Sequence, residues 1–260
     1  MKKRFGFTLA EVLITLGIIG VISMMVLPSI KGETEKIVTI ARLKHSYSVL
    51  QNAIRMSEYH NGKIKRWQIM SGDKFFHKYI QNYLKYSTEY SKEQLLSMNI
   101  TRTLLNGKKY VGSTFATSYG GSHSYSFMLL DGSMVTFNQN GSDTKGMWVG
   151  IDINGFEPPN RIGRDSFLFY LSLSDGLQPL GGPGTPTEYG GQWNYIQYVE
   201  DGKTVRDVIT DSKYSTSCSL DAADLNASGY SQAGYWCTAL IMNDGWKISK
   251  DYPWNKVKKH

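Results

Sequence analysis

The spacing of apolar positions changes character along this chain, and each change marks an element. From Phe7 to Leu27 ("FTLAEVLITLGIIGVISMMVL") every residue is apolar, small or a hydroxyl except Glu11, a run near the ~20 residues that a helix needs to cross a bilayer. Beyond it Ile37, Ile40, Leu43, Tyr47, Leu50 and Ile54 recur at helical spacing, flanked by Glu33, Lys36, Arg42, Lys44, Gln51 and Arg55. The two patterns predict one long helix from Phe7 to about Tyr59, all apolar in its first half and amphipathic in its second. Pro28 and Gly32 stand at the junction. A proline there removes one hydrogen bond and crowds the preceding turn, so a kink or a melted stretch is expected, the alternative being two helices joined by a loop.

Further on, "DKFFHKYIQNYLKY" places Phe76, Tyr79, Ile80 and Tyr83 on one helical face. Ser91 to Met98 ("SKEQLLSM") predicts a second short helix, with Ser91 and Gln94 as a capping box. The period then falls to two. "HSYSFMLLDGSMVTFNQNG" reads as a hairpin in which Tyr125, Phe127 and Leu129 alternate, Asp131-Gly132 turns, and Met134, Thr136 and Asn138 return. "MWVGIDI" and "SFLFYLSL" supply two further strands. "LQPLGGPGTPTEYGGQW" is too poor in apolar residues for a strand and reads as a long, flexible surface loop. The fold class is therefore α+β, with an antiparallel sheet laid over the amphipathic half of the long helix.

Composition fits a β-rich, turn-rich body: 17 Tyr, 6 Trp and 26 Gly against 7 Pro in 260 residues. The formal charge is +7, but Lys2, Lys3 and Arg4 precede the apolar run, and without the first six residues the balance is +4. That is ordinary solubility charge, so a nucleic-acid partner is not expected from it. Cys218 and Cys237 lie close together with no C-x-x-C and no clustered His, which makes metal binding a poor reading. In an exported chain a disulfide fits better, and a loop of this size contributes about 3 kcal/mol in the chain-entropy model.

The apolar run is longer than the apolar core of a secretory signal and no A-x-A pattern follows it, so cleavage after the run is not expected. The basic residues before it favour a cytoplasmic N-terminus with the remainder outside. Lys2-Lys3-Arg4-Phe5-Gly6, then Phe7-Thr8-Leu9-Ala10-Glu11, then an apolar run with Gly17, Gly20 and Pro28, resembles the class III signal of type IV pilins and type II secretion pseudopilins. The resemblance is specific over roughly the first thirty residues and looser to about residue 60. The head matches no single pilin or pseudopilin type. The resemblance implies cleavage between Gly6 and Phe7 by a prepilin peptidase, which also N-methylates Phe7. It further implies residues 1–6 as leader, 7–28 as transmembrane and assembly helix, 29–60 as its amphipathic continuation and 61–260 as a pilin-like head. Other pilin or pseudopilin subunits, an inner-membrane assembly platform and, before assembly, membrane lipid are the implied partners. Cleavage would leave a positive amine on Phe7 one turn before Glu11, at the positive end of the helix dipole, where Glu11 can pair with the Phe7 amine of a neighbouring subunit. The plain alternative is a single-pass anchor with one tolerated carboxylate.

Within the head, Asp152, Asn154, Asn160 and Asp165 of "GIDINGFEPPNRIGRDSFLF" gather oxygen ligands, and the stretch resembles the D-x-N-G...P-N...G-x-D-x-F segment of pseudopilin-like heads. Two readings stand: a calcium-stabilised loop, since Ca²⁺ takes six to eight oxygens, or a hydrogen-bonded turn with Asx caps. The spacing is not that of an EF-hand. The segment from Tyr195 onward, with its two cysteines, resembles the disulfide-bounded C-terminal region of type IV pilins. Enzyme signatures are missing: there is no G-x-S-x-G and no H-E-x-x-H, and His45, His60, His77, His123 and His260 are scattered. No catalytic site and no obligate cofactor are expected.

The expected function is a filament subunit of a type IV pilus or secretion pseudopilus, in a minor role given its large head. It would sit in the inner membrane first and in the pilus or pseudopilus afterwards. Two alternatives belong to other classes. One is a surface-binding adhesin or DNA-uptake pilin, for which Lys63, Lys65, Arg66 and Trp67 ("KIKRW") offer charge beside an aromatic. The other is an unprocessed membrane-anchored domain, which the mature N-terminus alone would distinguish.

Overall fold

The computed structural model describes residues 7–114, 124–139, 143–186, 194–224 and 231–254. The chain divides into two compact units after Val38. Helix α1 (Leu9–Asn61) is a single element, and its backbone stays helical through Pro28 and Gly32, with neither a melted stretch nor a joining loop. After it come α2 (Gly72–Phe75), β1 (Tyr86–Tyr90), α3 (Lys92–Ser97), β2 (Thr101–Thr103), β3 (Lys109–Thr114), β4 (Ser124–Leu129) and β5 (Met134–Asn138). Strands β6 (Gly146–Asp152), β7 (Ser166–Ser172) and β8 (Gly176–Pro179) and helices α4 (Val205–Thr210) and α5 (Cys237–Asn243) complete the order.

The second unit is built on a six-stranded antiparallel sheet in the order β1-β4-β5-β6-β7-β8, with β2 and β3 forming a separate pair. The α1 stripe packs on it as its spacing requires: Leu43, Leu50 and Ile54 are buried and Ile40 and Tyr47 half-buried. Ile37, at the head of the predicted stripe, is instead 69% exposed and belongs to the first unit. Between the large residues sit Ser46, Ala53 and Ser57, all fully buried, whose small side chains let the helix backbone approach the sheet. The Ser46 and Ser133 hydroxyls meet at 3.1 Å, and Tyr47 stacks on Phe169 of β7 at 5.6 Å.

Strands β6 and β7 are buried along their whole lengths, which explains why their sequences read as continuous rather than alternating apolar runs. Val149 pairs with Phe169 towards α1, while Trp148 pairs with Tyr170 on the opposite face, where Tyr235 packs edge-on against the indole. The β4–β5 hairpin forms at the predicted turn, with Phe127 opposite Val135 and Tyr125 opposite Phe137, so Met134, Thr136 and Asn138 pair instead with Met128, Ser126 and Ser124. Its turn is held by the Ser133 N–H donating to Asp131 Oδ1 at 2.9 Å, with Gly132 at φ +84°. The Ser91 capping box on α3 forms both of its bonds.

Two expectations are corrected. The segment after α2 is helical but widens into a π-turn at Phe76–Ile80, and this places Phe75 as well as Phe76, Tyr79 and Ile80 in the core. Leu177 to Pro179, assigned to the loop, pair with β7 as edge strand β8, because β7 supplies hydrogen bonds that local composition does not reveal. The glycine-rich residues that follow are not a surface loop: Leu180 and Thr185 are buried, and a Cβ on Gly181 would fall 2.6 Å from the Trp236 indole nitrogen. Residues 187–193 of that loop lie outside the described residues.

Cys218 and Cys237 form a disulfide across 19 residues and are both buried. It fastens α5 beside Trp236, which is surrounded by Tyr195, Tyr198 and Tyr214. Reduction should lower the stability of the full chain by about 3 kcal/mol. Urea melts with and without reductant measure this, and equal midpoints would show that the bridge constrains nothing.

Candidate functional site

The start of α1 is fixed by its own first residues. The Thr8 N–H and Oγ1–H both donate to Glu11 Oε2, at 2.8 and 2.7 Å, and the Glu11 N–H donates to Thr8 Oγ1 at 3.2 Å. This is a reciprocal capping box: a hydroxyl at the N-cap and a carboxylate three residues on satisfy each other's backbone donors. Glu11 therefore has a role inside its own helix besides any pairing with another subunit. The Thr8-x-x-Glu11 spacing carried that signal in the sequence. The carboxylate is exposed, and its second oxygen, Oε1, faces no donor among the described residues.

From Leu9 to Met24 every large apolar side chain is exposed, from 42% for Val12 to 80% for Met24, and Phe7 is 89% exposed. They lie all round the helix, and a Cβ built on Gly17 or Gly20 would meet nothing within 4 Å. A helix that is apolar on every side is stable in a bilayer or in a bundle of like helices, since in water it would present an unbroken apolar patch. Among the described residues no helix is long and apolar enough to cross a membrane. The side chains of Met25, of Leu27 to Lys31 and so of Pro28, together with Gly6 and the basic leader, lie outside the described residues.

In the head, the oxygens of the Asp152 to Asp165 loop are turned inward. Asp165 accepts from the Asn160 and Arg161 N–H groups at 2.8 and 2.6 Å, and the Asn154 amide donates to the Glu157 and Pro158 carbonyls. Asp152 is fully buried, and its Oδ2 lies 3.5 Å from the guanidinium of Arg102, itself 1% exposed. Burial pushes the Asp152 and Asp165 carboxyls above the usual carboxylate range, and the nearby Arg102 guanidinium opposes the rise in both. The cation beside this loop is thus supplied by the chain, from β2. Sequence reading missed Arg102 because "TRT" carries no sign of burial. Among the described residues no group of three or more His, Cys, Asp or Glu is placed to hold a metal ion.

The remaining candidates are dispersed. Trp67 of "KIKRW" is buried and stacks on Tyr79 at 4.5 Å, so its ring is closed to any ligand. His45 lies 3.7 Å from Asp131, His60 stacks on Tyr83 and His77 contacts Gln81. His123 and His260 lie outside the described residues.

Residues 30–178 and 194–256 match the model of a family of unknown function (DUF6613). Residues 1–27 match the prokaryotic N-terminal methylation motif, which implies processing by a prepilin peptidase and assembly with other pilins. No curated protein and no solved structure matches the chain.

Proposed function

Because the chain belongs to the family of unknown function DUF6613 and carries a prokaryotic N-terminal methylation motif ahead of it, we propose that it is a pilin-like structural subunit, assembled through its N-terminal helix into a type IV pilus or secretion pseudopilus. The observation that carries this reading is the apolar first half of α1. Up to Met24 its large apolar side chains are exposed on all sides, up to Leu27 its sole charge is Glu11, and the basic leader stands in front of it. Such a helix needs lipid first and like helices afterwards. In this reading Phe7 to Leu27 spans the inner membrane before assembly, with the head outside the cytoplasm. Residues 61–260 make a large head, which suits a minor subunit better than one repeated throughout a filament. The role is structural, with no catalytic step.

Glu11 would act twice. Oε2 closes the cap with Thr8, and Oε1 is left to accept from the Phe7 amine of a neighbouring subunit once the leader is gone. Processing is the direct test. The mature protein should begin at an N-methylated Phe7, and Gly6→Val should leave it uncut. Mass spectrometry that finds Met1, or a start beyond Leu27, on assembled protein would overturn the reading.

A further inference from the structure

The chain's net charge of +7 is concentrated in one stretch. Residues 39–85 hold nine Lys and Arg against Glu58 and Asp73, a net of +7, and the other 213 residues balance with twenty of each sign. All nine basic side chains are exposed. None forms an ion pair among the described residues. Glu58 is turned to the backbone, accepting from the Ile64 N–H at 2.9 Å. Unneutralised cations repel one another, and where several follow closely, as Arg55, Lys63, Lys65 and Arg66 do, they favour a polyanion.

An aromatic platform lies within this stretch. Tyr59 is 86% exposed and lines a depression of about 380 Å³ with Arg55, Met56 and His60. The His60 ring meets Tyr59 edge-on at 5.0 Å and stacks on Tyr83 at 5.5 Å, which carries the platform from α1 to the segment after α2. Just past the end of α1, Lys63, Lys65 and Arg66 follow on a short 3-10 turn.

We propose that this face binds single-stranded nucleic acid, with phosphates on Arg55, Lys63, Lys65 and Arg66 and a base stacked on Tyr59. Cations along a strip follow a phosphate backbone whatever its sequence, and an exposed ring accepts any unstacked base. A duplex keeps its bases stacked and would leave the ring unused. An acidic glycan would meet the charge alone. The inference is independent of filament assembly, because the face is complete within one chain.

The test is fluorescence anisotropy of the full chain in neutral detergent with a labelled mixed-sequence single strand, the matching duplex and a sulfated polysaccharide competitor as separate arms. Single-strand affinity should fall about fiftyfold between about 50 and 200 mM salt if the four named cations each engage a phosphate. Tyr59→Ala should weaken the single strand about tenfold and leave the duplex unchanged, and Tyr59→Phe should retain binding. Replacing Lys63, Lys65 and Arg66 together by Gln should make the slope of log affinity against log salt shallower by about two. Unchanged melting midpoints would show that these exposed substitutions leave the fold intact. No binding at the lower salt, no effect of Tyr59→Ala, or a sulfated polysaccharide bound as tightly with the same variant response would each overturn the proposal.

Discussion

Glu11→Ala should leave the chain membrane-inserted and cleaved after Gly6, yet absent from sheared filaments that contain wild-type subunits. Two effects must be separated, since Glu11 both caps α1 through Thr8 and carries the charge for the proposed pair with the neighbouring Phe7 amine. Losing the cap costs about 1 kcal/mol, which a long helix held in lipid or in a bundle tolerates. Losing the carboxylate leaves an ammonium without its partner in an apolar bundle, where breaking a buried pair costs on the order of 3–5 kcal/mol. Thr8→Ala removes the cap and keeps the charge, so it should still enter filaments. Glu11→Gln keeps an acceptor for the cap and loses the charge, so it should fail with Glu11→Ala, and Glu11→Asp should be intermediate. The readout is the ratio of sheared to cell-associated protein for each variant. Should Thr8→Ala and Glu11→Ala fail alike, the cap and not the charge pair decides assembly.

Arg102→Met should be the most destabilising single change in the head. Its guanidinium is the cation beside Asp152, both groups are buried, and the substitution strands a carboxylate at 0% exposure. A penalty of about 3–5 kcal/mol at neutral pH is expected, and Asp152→Asn added to Arg102→Met should recover much of it. The pH dependence gives the sign. Burial already raises the Asp152 carboxyl in the folded chain and Arg102 opposes that rise, so removing Arg102 lifts the folded value further above the unfolded one. A carboxyl raised on folding contributes stability that is fully present below its unfolded value of about 3.9 and is lost as pH rises through the folded value. The deficit of Arg102→Met against wild type should therefore shrink as pH falls from about 7 towards about 4. Urea melts across that window measure it, and a deficit that does not change with pH would mean that Asp152 is not the group left uncompensated.

The parts of the fold legible in the sequence are those that a local pattern decides. The α1 stripe, the hairpin at Asp131-Gly132 and the Ser91 cap depend on spacing and turn chemistry within a few residues, and they stand where spacing put them. The N-terminal motif was legible for the same reason. What stayed hidden depends on contacts distant in sequence. Strand β8 exists because β7 pairs with it, and the glycines after it are buried because Trp236 comes to lie against Gly181. Arg102 is read as an internal counter-ion only once β2 is seen beside Asp152, 50 residues away. The basic stretch was read only in part, as Lys63, Lys65 and Arg66 of "KIKRW". A total charge averages over the chain, and only the distribution between residues 39–85 and the remainder shows where it is concentrated.

The two free edges of the main sheet bear on life in a crowded array. An open strand edge is a template on which another molecule's strand can pair, and subunits held side by side meet such edges at very high local concentration. At β8 the template is spoilt: Pro179 has no N–H to offer, and the Leu177 carbonyl is taken by the Gln51 amide at 3.0 Å. At β1 the register breaks between Tyr86 and Thr88, so a straight incoming strand finds no continuous ladder. In the proposed filament, heads built this way would be brought side by side by their helices without their sheets pairing edge to edge.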